Sequence, residues 1–171
     1  VSPTTAAAVA DELAEVLEPH DLILDGGECS IGIESTIVDC TSAVPRILRP
    51  GFYSDAVISD CAGDLASDLP ATHDSRVPRV SGSLAGHYAP RTQVTLVNED
   101  EFAQLPSQRI ARALVLALAN TQAAQAAEVV LAKDAAEYAR VLYSTLRHAD
   151  ESAIDEVIAI SPPSQGIAIA I

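Results

Sequence analysis

A chain of 171 residues has room for one medium domain or two small ones. Its 49% of apolar residues is ample for a core, yet the longest apolar run, Ala113 to Ala119, falls far short of the ~20 residues of a membrane helix. A net charge of −14, from 10 Lys and Arg against 24 Asp and Glu, argues against a surface built for a nucleic-acid backbone and suits a soluble cytoplasmic protein.

Ser2-Pro3 opens the first predicted helix, with Ser2 as N-cap and Pro3 at the first helical position, where its missing N–H costs nothing. Val9, Leu13, Val16 and Leu17 then fall on one helical stripe, and Pro19 stops it. With Thr4 and Thr5 beside Ser2, the helix start reads either as plain capping or as a seat for phosphate. Leu22 to Leu24 read as a short buried strand that ends at the turn Asp25-Gly26-Gly27. The following GGECSIG lacks both the GK[ST] ending of a P-loop and the glycine spacing of a dinucleotide turn.

Ile33 to Cys40 reads as a strand, with Ile33, Ser35, Ile37 and Asp39 on one face and Glu34, Thr36, Val38 and Cys40 on the other. Both faces mix polar and apolar groups, which is untidy for a half-buried strand. A second run, Arg46 to Leu48, ends on Arg49-Pro50-Gly51, and one of Arg46 and Arg49 is expected to point inward. Hydroxyls in one strand and a guanidinium at the end of the next point to an anion grip. Cys29, Cys40 and Cys61 are odd in number and lack CxxC spacing; three buried, reduced thiols are expected rather than a disulfide or a zinc site.

Asp55 to Leu65 is a candidate short helix, and Ser67 to Ser83, rich in Asp, Ser, Pro and Gly, reads as a linker. Its continuation SGSLAGHYAPRT carries His87 and Tyr88, either solvated or functional. From Gln93 the pattern alternates: strand Val94 to Val97, helix Glu99 to Leu105, buried run Ala111 to Ala119, helix Gln122 to Ala127, and strand Glu128 to Leu131. Asp134 with Glu137 then opens a helix striped by Tyr138, Val141, Leu142, Thr145 and Leu146, and the strand Ile154 to Ile160 follows. Such alternation implies a small, mostly parallel α/β sheet. Lys133, His148 and the acidic run Asp150, Glu151, Asp155 and Glu156 read as solvated surface. The opening on Val1 and the apolar finish GIAIAI lead to the expectation of a fragment.

SPTTA (2–6), LILDGG (22–27), GIESTIVD (32–39), RILRPG (46–51) and HYAPRT (87–92) occur in this order. Together they resemble the Sua5 branch of the YrdC/Sua5 family, the threonylcarbamoyl-AMP synthases. The resemblance implies the C-terminal part of a YrdC-like twisted α/β domain at 1–68. It implies a linker or lid with the HYAP motif at 69–92, and a small Rossmann-like α/β domain at 93–171 whose last helix is truncated. It reads SQGIAIAI as the start of that helix, where I-x-I-x-I alternation alone would read as a strand.

The resemblance implies the joining of L-threonine, bicarbonate and ATP into threonylcarbamoyl-AMP and pyrophosphate, for the t6A37 modification of tRNA. Ser2, Arg49 and His87 would contact ATP, Ser35 would hydrogen-bond L-threonine, and Tyr88 would neighbour His87 in the lid. Mg2+ would be held mainly through phosphates and water; no protein metal ligands are expected. The partners would be the three substrates and the downstream t6A transfer machinery, with neither direct nucleic-acid binding nor a membrane. The family's basic N-terminal half does not occur in this sequence, so the chain alone is expected to be inactive. A carbamoyl-transferring YrdC-type protein and a non-enzymatic acidic nucleotide-binding module remain alternatives.

Overall fold

The computed structural model describes residues 2–66, 89–123 and 125–171. In chain order the elements are α1 (Ala6–Glu12), β1 (Ile37–Asp39), β2 (Arg46–Arg49), α2 (Asp55–Ala62) and β3 (Gln93–Val97). Next come α3 (Glu99–Ala103), α4 (Ser107–Ile110), β4 (Ala113–Leu118), β5 (Glu128–Ala132), α5 (Ala135–Glu151) and β6 (Glu156–Ile160), with a 3-10 turn at Gly166–Ala170. They fall into two compact units, one drawn from Val1–Gly32 and Tyr88–Pro162, the other from Ile33–His87 and Pro163–Ile171.

The first unit is a parallel α/β sheet in the order β3-β6-β4-β5. Its central strands, ALVLAL and EVIAI, are nearly continuous apolar runs, as strands covered on both faces must be. Alternation sends Val115, Ala117, Ile158 and Ile160 to one face, against Phe102 of α3 and Ile110 of α4. Leu114 and Val157 go to the other, against Leu146 and Ala149 of α5. Each such side chain, fully withdrawn from water, contributes about 1.5–3 kcal/mol. The predicted alternating fold is therefore the observed one.

Side-chain capping sets the starts of α3 and α5. Asn98 and Glu101 form a reciprocal capping box on α3. On α5 the Asp134 carboxylate accepts from Glu137 N at 2.8 Å, but Glu137 reaches back to Lys133 N, one residue short of closing a box. At the far end of α5, Asp150 accepts from the backbone N–H groups of Arg91 and Thr92 at 3.1 and 2.7 Å, fixing the approach to β3. Tyr138 is buried with its hydroxyl 3.4 Å from the Leu116 carbonyl, and burial pushes its phenol well above the ordinary range.

Glu156 departs from the expected solvated surface. It opens β6 at 9% exposure, where Arg109 of α4 donates Nε–H to it at 2.8 Å and the Thr95 hydroxyl donates as well. The Arg109 hydrogen bond, chiefly, holds its carboxyl below the ordinary value against the opposing effect of burial. Residues 122–127 also differ from expectation. They form a turn-rich connection at their described positions, because Ala123 turns into the core beside Phe102 and Ile110 rather than propagating a helix.

The N-terminal stretch belongs to the same unit and lies along α5. Arg147 meets Glu12 at 3.1 Å and Arg140 meets Glu28 at 3.0 Å. Gly32, at φ +81, lies so close to the α5 backbone at Ala139 and Arg140 that a Cβ would collide with it. The N-cap of α1 is Thr5 rather than Ser2: its hydroxyl accepts from Ala8 N at 3.1 Å, so the helix starts three residues later than the Ser-Pro pair indicates. It also ends early, at a Leu13 C-cap, which leaves Val16 exposed. Leu22 to Leu24 form no strand. Their backbone pairs with no described strand, and Leu22 and Leu24 are exposed. Cys29, Cys40 and Cys61 are free and exposed, not buried, since none of the three lies on a core-facing position. The C-terminal GIAIA is helical, a 3-10 turn, as opposed to a strand. Among the described residues, no helix is long and apolar enough to cross a membrane.

Candidate functional site

The second unit is built on the antiparallel pair β1–β2. The Asp39 carboxylate accepts from both the backbone N and the hydroxyl of Thr41, at 2.9 and 2.7 Å, and so starts the turn that reverses the chain. These bonds, the hydroxyl's first, lower the Asp39 carboxyl below its ordinary value. The ladder pairs Asp39 with Arg46 and Val38 with Ile47, then slips, so that Ile37 faces Arg49 and Leu48 is an extra residue. A bulge of this kind bends its strand and re-aims the side chain that follows. Here that side chain is Arg49.

The strand is shorter than the predicted Ile33 to Cys40, covering Ile37–Asp39 alone. Residues 34–36 run beyond the ladder and are held by other means. Arg49 turns its Nε and Nη2 groups onto the Ser35 carbonyl, at 3.2 and 2.9 Å, and Nη2 also reaches Ser35 Oγ at 3.3 Å. The guanidinium offers no acceptor, so Ser35 Oγ accepts in that contact and its own proton can serve a different acceptor. The Thr36 hydroxyl donates to the Tyr53 carbonyl at 2.9 Å and accepts from Tyr53 N at 3.0 Å. Gly51 is buried directly beneath this peptide, and a Cβ there would run into Thr36 N, Ser35 C and Glu34 O. Only glycine fits this approach.

The structure thus brings Ser35 and Arg49, both selected from sequence, into direct contact. The Nε of Arg46 is buried. Phe52 and Tyr53 follow, ring edge against face with centroids 5.2 Å apart, and both are exposed. Ser2 belongs to the other unit, half-buried and upstream of the Thr5 cap. His87 and Tyr88, like the predicted linker Ser67 to Ser83, lie outside the described residues. Sequence reasoning missed Thr36 and Tyr53 as partners. The available signal was a hydroxyl on the face opposite Ser35 and two aromatics directly after the Arg-Pro-Gly turn.

Two open cavities are lined by described residues of the sheet unit. One, of about 520 Å³, lies at the carboxyl ends of β3 and β4, with Phe102 and Ile110 in its floor and Glu99, Asn120 and Thr121 at its rim. The other, of about 620 Å³, adjoins Arg109, Arg112, Asp155 and Glu156. Among the described residues, no three His, Cys, Asp or Glu side chains gather as metal ligands.

Comparison with known proteins places these features. Residues 53–171 match the family model described as the threonylcarbamoyl-AMP synthase C-terminal domain. Residues 1–51 match the Sua5/YciO/YrdC model, described as telomere recombination. The chain belongs to the Sua5-type threonylcarbamoyl-AMP synthase family. Among its relatives, the threonylcarbamoyl-AMP synthase of Pyrococcus abyssi is 31% identical over 179 residues, covering 99% of this chain and 52% of the relative. That of Bacillus subtilis is 30% identical over 181 residues, covering 99% and 51%. The crystal structure of P. abyssi Sua5 complexed with L-threonine superposes with a TM-score of 0.79 at 30% identity, over 99% of this chain and 51% of that one. A second P. abyssi Sua5 structure, with alanine in place of an adjacent His and Tyr, gives 0.76 at 30% identity, over 99% and 50%. The chain spans about half the length of these relatives. Strands β3 to β6 all lie within the residues matched by the C-terminal-domain model.

Proposed function

We propose that this chain carries part of the substrate site of an L-threonylcarbamoyladenylate synthase acting in the t6A37 modification of tRNA. The observation that carries the proposal is the Arg49–Ser35 contact, a fixed guanidinium beside a serine hydroxyl, in a chain whose solved relative was crystallised with L-threonine. In the reaction, the threonine nitrogen takes up the carbon of bicarbonate with loss of water. The resulting carbamate carboxylate attacks the α-phosphate of ATP, its O–P bond forms, and the bond to pyrophosphate breaks. Such a step needs two anions held in line and positive charge near the leaving group more than it needs a covalent catalyst.

In this reading Ser35 hydrogen-bonds L-threonine, and Arg49, preset by its fork on the Ser35 carbonyl, meets the nucleotide. Ser2 contacts ATP from the start of the N-terminal segment. His87 closes over the nucleotide with Tyr88 beside it, a lid carried by residues 69–92 between a YrdC-like portion (1–68) and the C-terminal domain (93–171). In one P. abyssi Sua5 structure an adjacent His and Tyr were both replaced by alanine. This chain contains one His-Tyr pair, His87-Tyr88. Mg2+ would be held through phosphates and water, since a guanidinium cannot ligate it and a serine hydroxyl does so weakly. The net charge of −14 supports a cytoplasmic protein that hands its product to the t6A transfer machinery without gripping tRNA itself. The C-terminal-domain match over residues 53–171 weighs against the carbamoyl-transferring alternative.

A hydrogen bond from a charged donor contributes about 1.5–3 kcal/mol. Arg49→Ala in the full-length protein is therefore expected to weaken ATP binding about ten- to a hundredfold by calorimetric titration; an unchanged titration sinks the assignment. The 171-residue chain alone is expected to release no pyrophosphate with ATP, bicarbonate and L-threonine. Threonine-dependent release from it would overturn that expectation.

A further inference from the structure

We infer that Thr36 is a positioning residue for the amino-acid pocket, acting through a clasp on the Tyr53 backbone that sets the direction of the Ser35 hydroxyl. This rests on the reading of Ser35 as the L-threonine contact. Ser35 lies beyond the end of the β1–β2 ladder, so no strand pairing fixes its peptide. What fixes it is a set of links to residues 49–53. Arg49 holds the Ser35 carbonyl. One residue further on, the Thr36 hydroxyl uses its donor and an acceptor lone pair at once, giving to the Tyr53 carbonyl and taking from Tyr53 N. Gly51 closes the gap from below.

With its carbonyl, its following residue and its underside all held, Ser35 has little freedom left except at its own side chain. The two Thr36 bonds tie the 34–36 peptide to the Tyr53 backbone, and both pass through one oxygen. Removing that oxygen frees the peptide on one side and leaves the Tyr53 N–H and carbonyl without that partner. Arg49, anchored on the same carbonyl, keeps its charge where it was. The clasp therefore bears on the amino acid more than on the nucleotide.

The test uses the full-length protein and steady-state kinetics with each substrate varied in turn. Thr36→Val, which keeps the branched shape and drops the hydroxyl, is expected to raise KM for L-threonine about five- to tenfold, the loss of about one net hydrogen bond. KM for ATP is expected to stay within about twofold by the same argument. Thr36→Ser restores the hydroxyl and is expected to restore the threonine KM. Hydrogen exchange at the Tyr53 amide should quicken in Thr36→Val and recover in Thr36→Ser, a readout independent of activity. Ser35→Ala separates the two ideas: a threonine KM unmoved by Ser35→Ala overturns the underlying reading of the site. A rise in Ser35→Ala without one in Thr36→Val overturns the clasp alone. Equal rises for both substrates, or failure of Thr36→Ser to rescue, would reduce Thr36 to general packing and also overturn it.

Discussion

The four-stranded sheet and the β1–β2 hairpin hold their backbones by opposite means. In the sheet, β4 and β6 are sealed between α5 and the α3–α4 pair, and their side chains are almost wholly withdrawn from water. In the hairpin every strand residue is only half-buried, and the peptide that matters most, Glu34 to Thr36, is outside the ladder altogether. It is kept in place by one guanidinium, one hydroxyl and one glycine. Apolar burial is non-directional and proportional to area; hydrogen bonds from side chains are directional and few. The first arrangement makes a scaffold, while the second aims particular atoms.

The contrast can be broken at several points. The largest effect is expected in the sheet. Leu116→Ala, at a site with no exposure, should cost about 2–5 kcal/mol in denaturant unfolding. A cost near zero would mean that β4 is less tightly enclosed than its burial indicates. In the hairpin, Gly51→Ala forces a Cβ into the Glu34–Thr36 backbone and should cost about 1–3 kcal/mol. Tyr53 amide exchange should rise with it, because the clasp cannot close over the added methyl. Unaltered stability and exchange would show that the 34–36 peptide yields freely. Arg49→Lys retains the charge but loses the two-pronged grip on the Ser35 carbonyl, and a loss of about 1 kcal/mol is expected. A lysine variant with full L-threonine affinity would show that charge alone suffices there.

The smallest effect tests whether a polar link also matters in the sheet. Glu156 has its carboxyl held below the ordinary value, first by the Arg109 hydrogen bond. A group whose folded pKa is depressed contributes stability above its unfolded value, about 4.3 for glutamate, and loses it as pH falls through the folded pKa. Thermal stability should therefore fall on acidification below about pH 4.3. Glu156→Gln should flatten that decline, and an identical acid limb in both proteins would remove Glu156 from the account.

The same contrast explains what was readable in advance. β3, β4, β5, β6 and α5 announce themselves because burial imposes periodicity: ALVLAL is apolar throughout and EVIAI is so after its opening Glu156, and Tyr138, Thr145 and Leu146 recur on one side of α5. The hairpin gave a weaker signal, and its true extent was hidden by the bulge at Leu48, which leaves no mark in composition. Ser35 and Arg49 were legible as residue types in sequence motifs. Their contact was not, because it depends on the bulge turning Arg49 back toward the preceding strand. Leu22 to Leu24 misled by composition: three apolar residues in a row predict burial, but a strand also needs a neighbour to pair with, and none is described beside them. Glu156 misled in the other direction. Its acidic neighbours suggested solvent, while the position of Arg109 across from the start of β6 is a tertiary fact.

Gly51 lies against three successive residues of another stretch of chain, and that close fit bears on how the motif could be transplanted. Grafting a serine and an arginine at matching positions onto an unrelated hairpin would copy the chemistry without the aim. The smallest portable unit is a pair of short peptides, Glu34 to Thr36 and Arg49 to Tyr53, carried together with the bulge that joins them to their strands. A designer who kept both peptides and discarded the rest of the hairpin's surface would retain the geometry; one who kept every polar residue but put alanine for the glycine would lose it.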